Sequence, residues 1–203
     1  MYLGLVLAGA TPQVLAQGKS DADITINKRP LTDFADSIRK KIESKEIDLT
    51  APFSVECEAY FTPKGGLDQK LSKFTVISGD PKMVELAKNA IEAIGDSGYF
   101  QYLQAFDHIS KGQIKISQDS QNFTTSILSN AKSPERARIM SSALSTLIRF
   151  GVMQTKSEDG KLILRGLAAS ADQTAFEIKL VMSASEFREL ILHKIALSVN
   201  DKP

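Results

Sequence analysis

From Phe53 the chain alternates between apolar and polar residues. Phe53, Val55, Cys57 and Ala59 fall on one side, while Ser54, Glu56, Glu58 and Tyr60 fall on the other. That period predicts a half-buried antiparallel strand. Pro63-Lys64-Gly65-Gly66 supplies turn chemistry, and a second strand follows through Phe74 to Ile77. Gly79-Asp80-Pro81 then combines a flexible glycine, an N-capping aspartate and a proline at the first helical position. The helix it opens buries Met83 or Val84, then Ala87, Ala90, Ile91 and Ile94, and is expected to stop at Gly95. An earlier helix over about 32–45 shows Leu31, Phe34, Ala35, Ile38 and Ile42 at helical spacing, with Thr32 as its cap. Its outer residues Arg39, Lys40, Lys41 and Lys45 read as a solvated face, with a membrane-surface or partner role as the alternative.

The second half repeats these parts. Strands are expected over Gln113–Ser117 and Phe123–Leu128, around a polar turn at 118–122. Ser133-Pro134-Glu135 starts a helix that buries Ala137, Met140, Leu144, Leu147 and Ile148 and stops at Gly151. A turn at 157–160 introduces a strand over Leu162–Ala168, and another runs from Thr174 to Leu180. Ser183 with Glu186 forms a capping box for a last helix that buries Phe187, Leu190, Ile191 and Ile195. Residues 97–106 fit a short helix or a strand equally well. The order α-ββ-α then ββ-α-ββ-α predicts an α+β fold, antiparallel sheet with helices packed on one face. It divides into a unit over 31–106 and a second over 110–203.

Tyr2 to Ala16 carry no charge, and the composition turns polar at Gln17. The run is shorter than the about 20 residues that cross a bilayer. Residues 1–16 therefore read as the remnant of a signal peptide, ending in Val14-Leu15-Ala16, or of a membrane anchor. No basic segment precedes them, which suits a truncated chain or a start at an internal methionine. A buried strand or helix is the alternative, and residues 17–30 read as a linker. With 25 basic and 24 acidic residues, no net field draws nucleic acid, and none is expected as a partner. A single cysteine, Cys57, excludes an internal disulfide and a thiol zinc site; on the apolar strand face it reads as a small core residue.

Candidate chemistry is sparse. Ser37-Ile38-Arg39-Lys40 spells the S-x-x-K of penicillin-recognising enzymes, but it lies inside a helix and no S-D-N or K-T-G follows. Asp107-His108 reads as a surface loop, since no nucleophile motif accompanies it. His193 reads as a cation near a helix C-terminus. Glu56 and Glu58 share the outward strand face, where carboxylates are ordinary. Asn122-Phe123-Thr124 is a glycosylation sequon, with meaning only in a eukaryotic secretory setting. No catalytic, cofactor-binding or metal-ligating residue is assigned, no cofactor is expected, and a non-enzymatic binding protein or scaffold is the reading.

Four phrases carry a resemblance: Phe53-Ser54-Val55-Glu56, Gly65-Gly66-Leu67, Val76-Ile77-Ser78-Gly79-Asp80, and Leu86-Ala87 through Ala90-Ile91. With the helix ahead of them, residues 31–95 resemble the C-terminal domain of TonB-type energy transducers. Residues 110–203 lie outside it. The resemblance implies a periplasmic or cell-envelope domain anchored to the inner membrane through its N-terminal segment. It also implies a protein partner, an outer-membrane transporter or membrane motor complex, engaged through main-chain pairing at a sheet edge. The competing expectation is a periplasmic carrier whose two units enclose an apolar cleft for a small ligand. A closed core with no apolar cavity would exclude the carrier. An enzyme is the third reading, and the sequence leaves the oligomeric state open.

Overall fold

A computed structural model describes residues 25–200, with side chains through residue 193 except at residue 106. The apolar run at 1–16 and the linker up to residue 24 lie outside the described residues. Twelve elements follow in order: α1 (Arg29–Glu43), β1 (Phe53–Tyr60), β2 (Lys73–Gly79), α2 (Pro81–Asp96), α3 (Gln101–Asp107), β3 (Lys111–Gln118), β4 (Asn122–Asn130), α4 (Pro134–Gln154), α5 (Glu158–Gly166), β5 (Leu167–Asp172), β6 (Ala175–Ser183) and α6 (Ala184–Asn200). The fold is α+β, and its six strands form one antiparallel sheet in the order β2-β1-β3-β4-β6-β5.

The register aligns the alternation seen in β1 across the whole sheet. Val55 and Cys57 pair with Ile116 and Ile114 of β3; these stand opposite Thr125 and Ile127 of β4, which face Leu180 and Ile178 of β6. This apolar face joins most buried residues of the helices in a core that spans both halves of the chain, with Leu31, Ala93 and Tyr99 in a smaller second cluster. The opposite face is polar, with Glu56 of β1 3.1 Å from Lys115 of β3. The boundary expected near 107–110 falls between α3 and β3, and the sheet runs on across it through the β1–β3 pairing. Asp119 builds the β3–β4 turn, its carboxylate accepting from the amides of Gln121 and Asn122 at 2.7 and 2.8 Å.

Several expected boundaries move for identifiable reasons. The first helix begins at Arg29 with Pro30 in its opening turn, so Thr32 is not its cap. Lys28 occupies that position, and the Thr32 hydroxyl donates back to the Lys28 carbonyl at 3.2 Å. Of the four cations expected on its outer face, Lys40 is solvated and Lys45, also exposed, lies beyond the helix end, whereas Arg39 and Lys41 are partly buried and paired with Asp36 and Glu85. Asp80 caps α2 as anticipated, accepting from the amides of Lys82 and Met83 at 2.9 Å. The ambiguous stretch at 97–106 contributes the short helix α3. The fourth helix passes through Gly151, because the missing side chain admits Leu164 of α5: a Cβ there would lie 3.1 Å from that leucine.

The strand expected over 162–168 is mostly helix. Ser157 accepts from the Gly160 amide, and Glu158 and Asp159 place negative charge in the first turn, where the helix dipole favours it. Ile163 and Leu164 are then buried from a helix, and the strand starts only at Leu167.

The capping box before α6 forms completely. The Ser183 hydroxyl accepts from the Glu186 amide at 3.1 Å, and the Glu186 carboxylate accepts from the Ser183 amide at 2.8 Å. Ser183→Ala is expected to lower stability by about 1 kcal/mol, or about 2–4 °C in a thermal melt. An unchanged melt would mean that packing alone holds the start of α6.

Candidate functional site

The apolar sheet face is not covered evenly. α1 packs against α2, which lies on β1 and β2, while α6 lies on β4 and β6. Between these two groups of helices a cleft of about 410 Å³ opens over the middle strands. Its floor is Ile114 and Ile116 of β3 with Thr125 and Ile127 of β4. One wall is formed by Leu31, Phe34, Ala35 and Ile38 of α1 with Met83, Ala87, Ala90, Ile91 and Ile94 of α2. The other comes from Ile163 of α5 and Phe187, Leu190 and Ile191 of α6. One end is bounded by Leu49, Phe53 and Phe123, where the Phe123 and Phe187 rings stack parallel with centroids 3.7 Å apart. From the Phe123 row to the Ile127 row the floor extends four residues along β4, about 13 Å at strand rise.

The charged groups lie at the rim. Lys28, at the cap position before α1, and Thr32 and Asp36 of α1 follow one another at four-residue spacing and line the cleft. Asp36 is 2.8 Å from the Arg39 guanidinium, whereas Lys28 has no ion-pair partner among the described residues. Such an arrangement can desolvate an apolar molecule and orient a polar end.

The residues weighed as chemistry lie elsewhere and do not converge. Asp107 is not in a surface loop: its side chain is 2% exposed, and the carboxylate accepts from the Lys132 amide at 2.7 Å and from Arg136 Nε at 3.1 Å. Burial pushes its pKa up, but the Lys132 amide and the Arg136 guanidinium outweigh it and hold the group below the usual aspartate value. His108, beside it, is exposed in a left-handed conformation that ends α3. His193 lies well inside α6, not at its end, and its Nδ1 is 3.0 Å from the carboxylate of Asp159 in α5. Glu56 also accepts from Gln113, and Glu58 from the Tyr60 hydroxyl at 3.0 Å, so both serve the outer sheet face. Ser37 is exposed on α1. Cys57 is fully buried, and loss of solvation, then the Glu92 and Glu58 charges, push its thiol up to about 11. It is a core residue, as the strand pattern implied. Among the described residues no group of three or more His, Cys, Asp or Glu could hold a metal ion.

No family model, curated protein or solved structure matches the chain.

The functional reading therefore rests on the cleft and on the sheet edges. Sequence periodicity marked most of the wall residues as buried helix faces; it missed Lys28 and Leu49, which belong to connecting segments without a period. No helix among the described residues is long and apolar enough to cross a membrane.

Proposed function

We propose that this chain is a non-enzymatic, extracytoplasmic binding protein or carrier that holds a small apolar ligand in the cleft between the α1–α2 and α5–α6 walls. The observation that carries the reading is the cleft itself. At about 410 Å³ it falls within the roughly 300–1,000 Å³ of small-ligand pockets, and it combines an apolar lining with a few polar groups at the rim. The uncharged run at Tyr2–Ala16 supports export. Filling the space tests the proposal: Ala90→Trp, on the half-buried cleft side of α2, is expected to abolish uptake of an apolar fluorescent probe while leaving the circular dichroism spectrum unchanged. Equal probe binding by both proteins would place the ligand outside the cleft.

A second reading keeps the TonB-type resemblance and has its own observation. β1, β3, β4 and β6 are each paired on both sides, so among the described residues the strands with a free edge are β2 and β5. β2 is the more exposed of the two, with Val76 and Ile77 50% and 52% accessible. A partner peptide adding to β2 would gain main-chain hydrogen bonds and cover both side chains. Crosslinking from β2 that captures no outer-membrane transporter or motor-complex protein would sink this reading and leave the carrier untouched.

A further inference from the structure

The cleft has a chemical polarity that the carrier reading leaves unused. Its floor and both walls are hydrocarbon apart from Thr125 in the floor, and only two of its lining residues, Lys28 and Asp36, bear charge. The Asp36 charge is answered by Arg39 at 2.8 Å. The charge of Lys28, at the start of α1, has no ion-pair partner among the described residues. A ligand with an apolar body and a negative head would satisfy both parts of the site, burying its body over Ile116 and Ile127 and placing its head beside the ammonium. A neutral hydrocarbon would leave that charge unused, and a cationic head would be repelled by it.

Resting on the carrier reading, we propose that the ligand is a single-chain anionic amphiphile, its hydrocarbon chain lying in the cleft and its head paired with Lys28. Size favours one chain over two, because about 410 Å³ lies near the lower limit for small-ligand sites. The floor extends about 13 Å along the strands, which suits an elongated body. The head is a carboxylate or a phosphate, both of which accept charge-assisted hydrogen bonds from an ammonium. The Lys28 contact lies at the rim, so it contributes head-group preference more than affinity.

The test is displacement of a fluorescent long-chain fatty acid from the full chain by four competitors. These are a long-chain fatty acid, a lysophosphatidic acid, a fatty alcohol of the same length, and a two-chain phosphatidylglycerol. The two single-chain anions are expected to displace it about three- to tenfold better than the alcohol, and the tighter of the two identifies the head. That preference should shrink in high salt. It should vanish in Lys28→Met through weaker anion binding, with alcohol binding unchanged, and persist in Lys28→Arg. An alcohol that competes as well as the acid, or a preference that survives in Lys28→Met, overturns the role of Lys28 while the cleft stands. Equal competition by the two-chain lipid overturns the single-chain assignment. If no chain binds, or if Ala90→Trp binds the probe as the parent does, the carrier reading itself falls.

Discussion

Gly79→Ala is expected to be among the most damaging single substitutions in this protein, lowering stability by about 3–5 kcal/mol. Gly79 ends β2 with φ +109°, a conformation that L side chains rarely adopt. A Cβ built there would lie 2.3 Å from both the Pro52 carbonyl oxygen and Phe53 Cα. Those are backbone atoms, so no rotamer change relieves the contact. The strand pairs Gly79 with Phe53, and the next amide, that of Asp80, donates to the Pro52 carbonyl at 3.0 Å. Moving the backbone would therefore disturb the start of β1, the cap of α2 and one end of the cleft together. Urea unfolding measures the effect, with Gly66→Ala as a milder control whose added Cβ would meet first the Thr62 hydroxyl at 3.1 Å. A loss below about 1 kcal/mol for Gly79→Ala would show that the chain can relax here at little cost.

Asp107→Ala is expected to cost about 2–4 kcal/mol at neutral pH. The loss comes mainly from the Lys132 amide, which would be left without its carboxylate acceptor in a buried setting. Arg136 contributes less, because its side chain is 48% exposed and can return to water. The same carboxylate gives the protein a pH dependence of known sign. Its folded pKa is below the ordinary value of 3.8, so its stabilisation is fully present above about pH 4 and is lost as the pH falls through the folded value. The gap in urea midpoint between the parent and Asp107→Ala should therefore narrow as the pH is taken from 7 to below 3. A gap that is constant across that range would mean that the charge of Asp107 contributes nothing and only its shape matters.

Both sites show what a sequence can and cannot reveal. Asp80-Pro81 and Ser183 with Glu186 act through neighbours within three residues, and both helix starts were legible for that reason. The alternation from Phe53 to Tyr60 was legible because one face of β1 is buried along its whole length. Leu162 to Leu164 misled because three consecutive apolar residues fit either period; the deciding contacts are the Ser157 cap and the packing of Leu164 against Gly151. Asp107 with Arg136, and His193 with Asp159, join elements far apart in sequence, and nothing local marks such pairs. The cleft falls between these cases. The apolar faces of α1, α2 and α6 were each visible, but the gap between them depends on how far apart the helices rest on the sheet. Lys28 was hidden altogether, since it precedes the first period in the described chain.

The strand order carries one more consequence. Reading across the sheet, β2, β1 and β3 come from the chain before Asp119, and β4, β6 and β5 from the chain after it. The turn at Asp119 is therefore a seam in space and in sequence at once. The floor of the cleft straddles that seam, with Ile114 and Ile116 on one side and Thr125 and Ile127 on the other, and its two helical walls are contributed by opposite halves. Neither half contains a whole cleft, so the cleft belongs to their union.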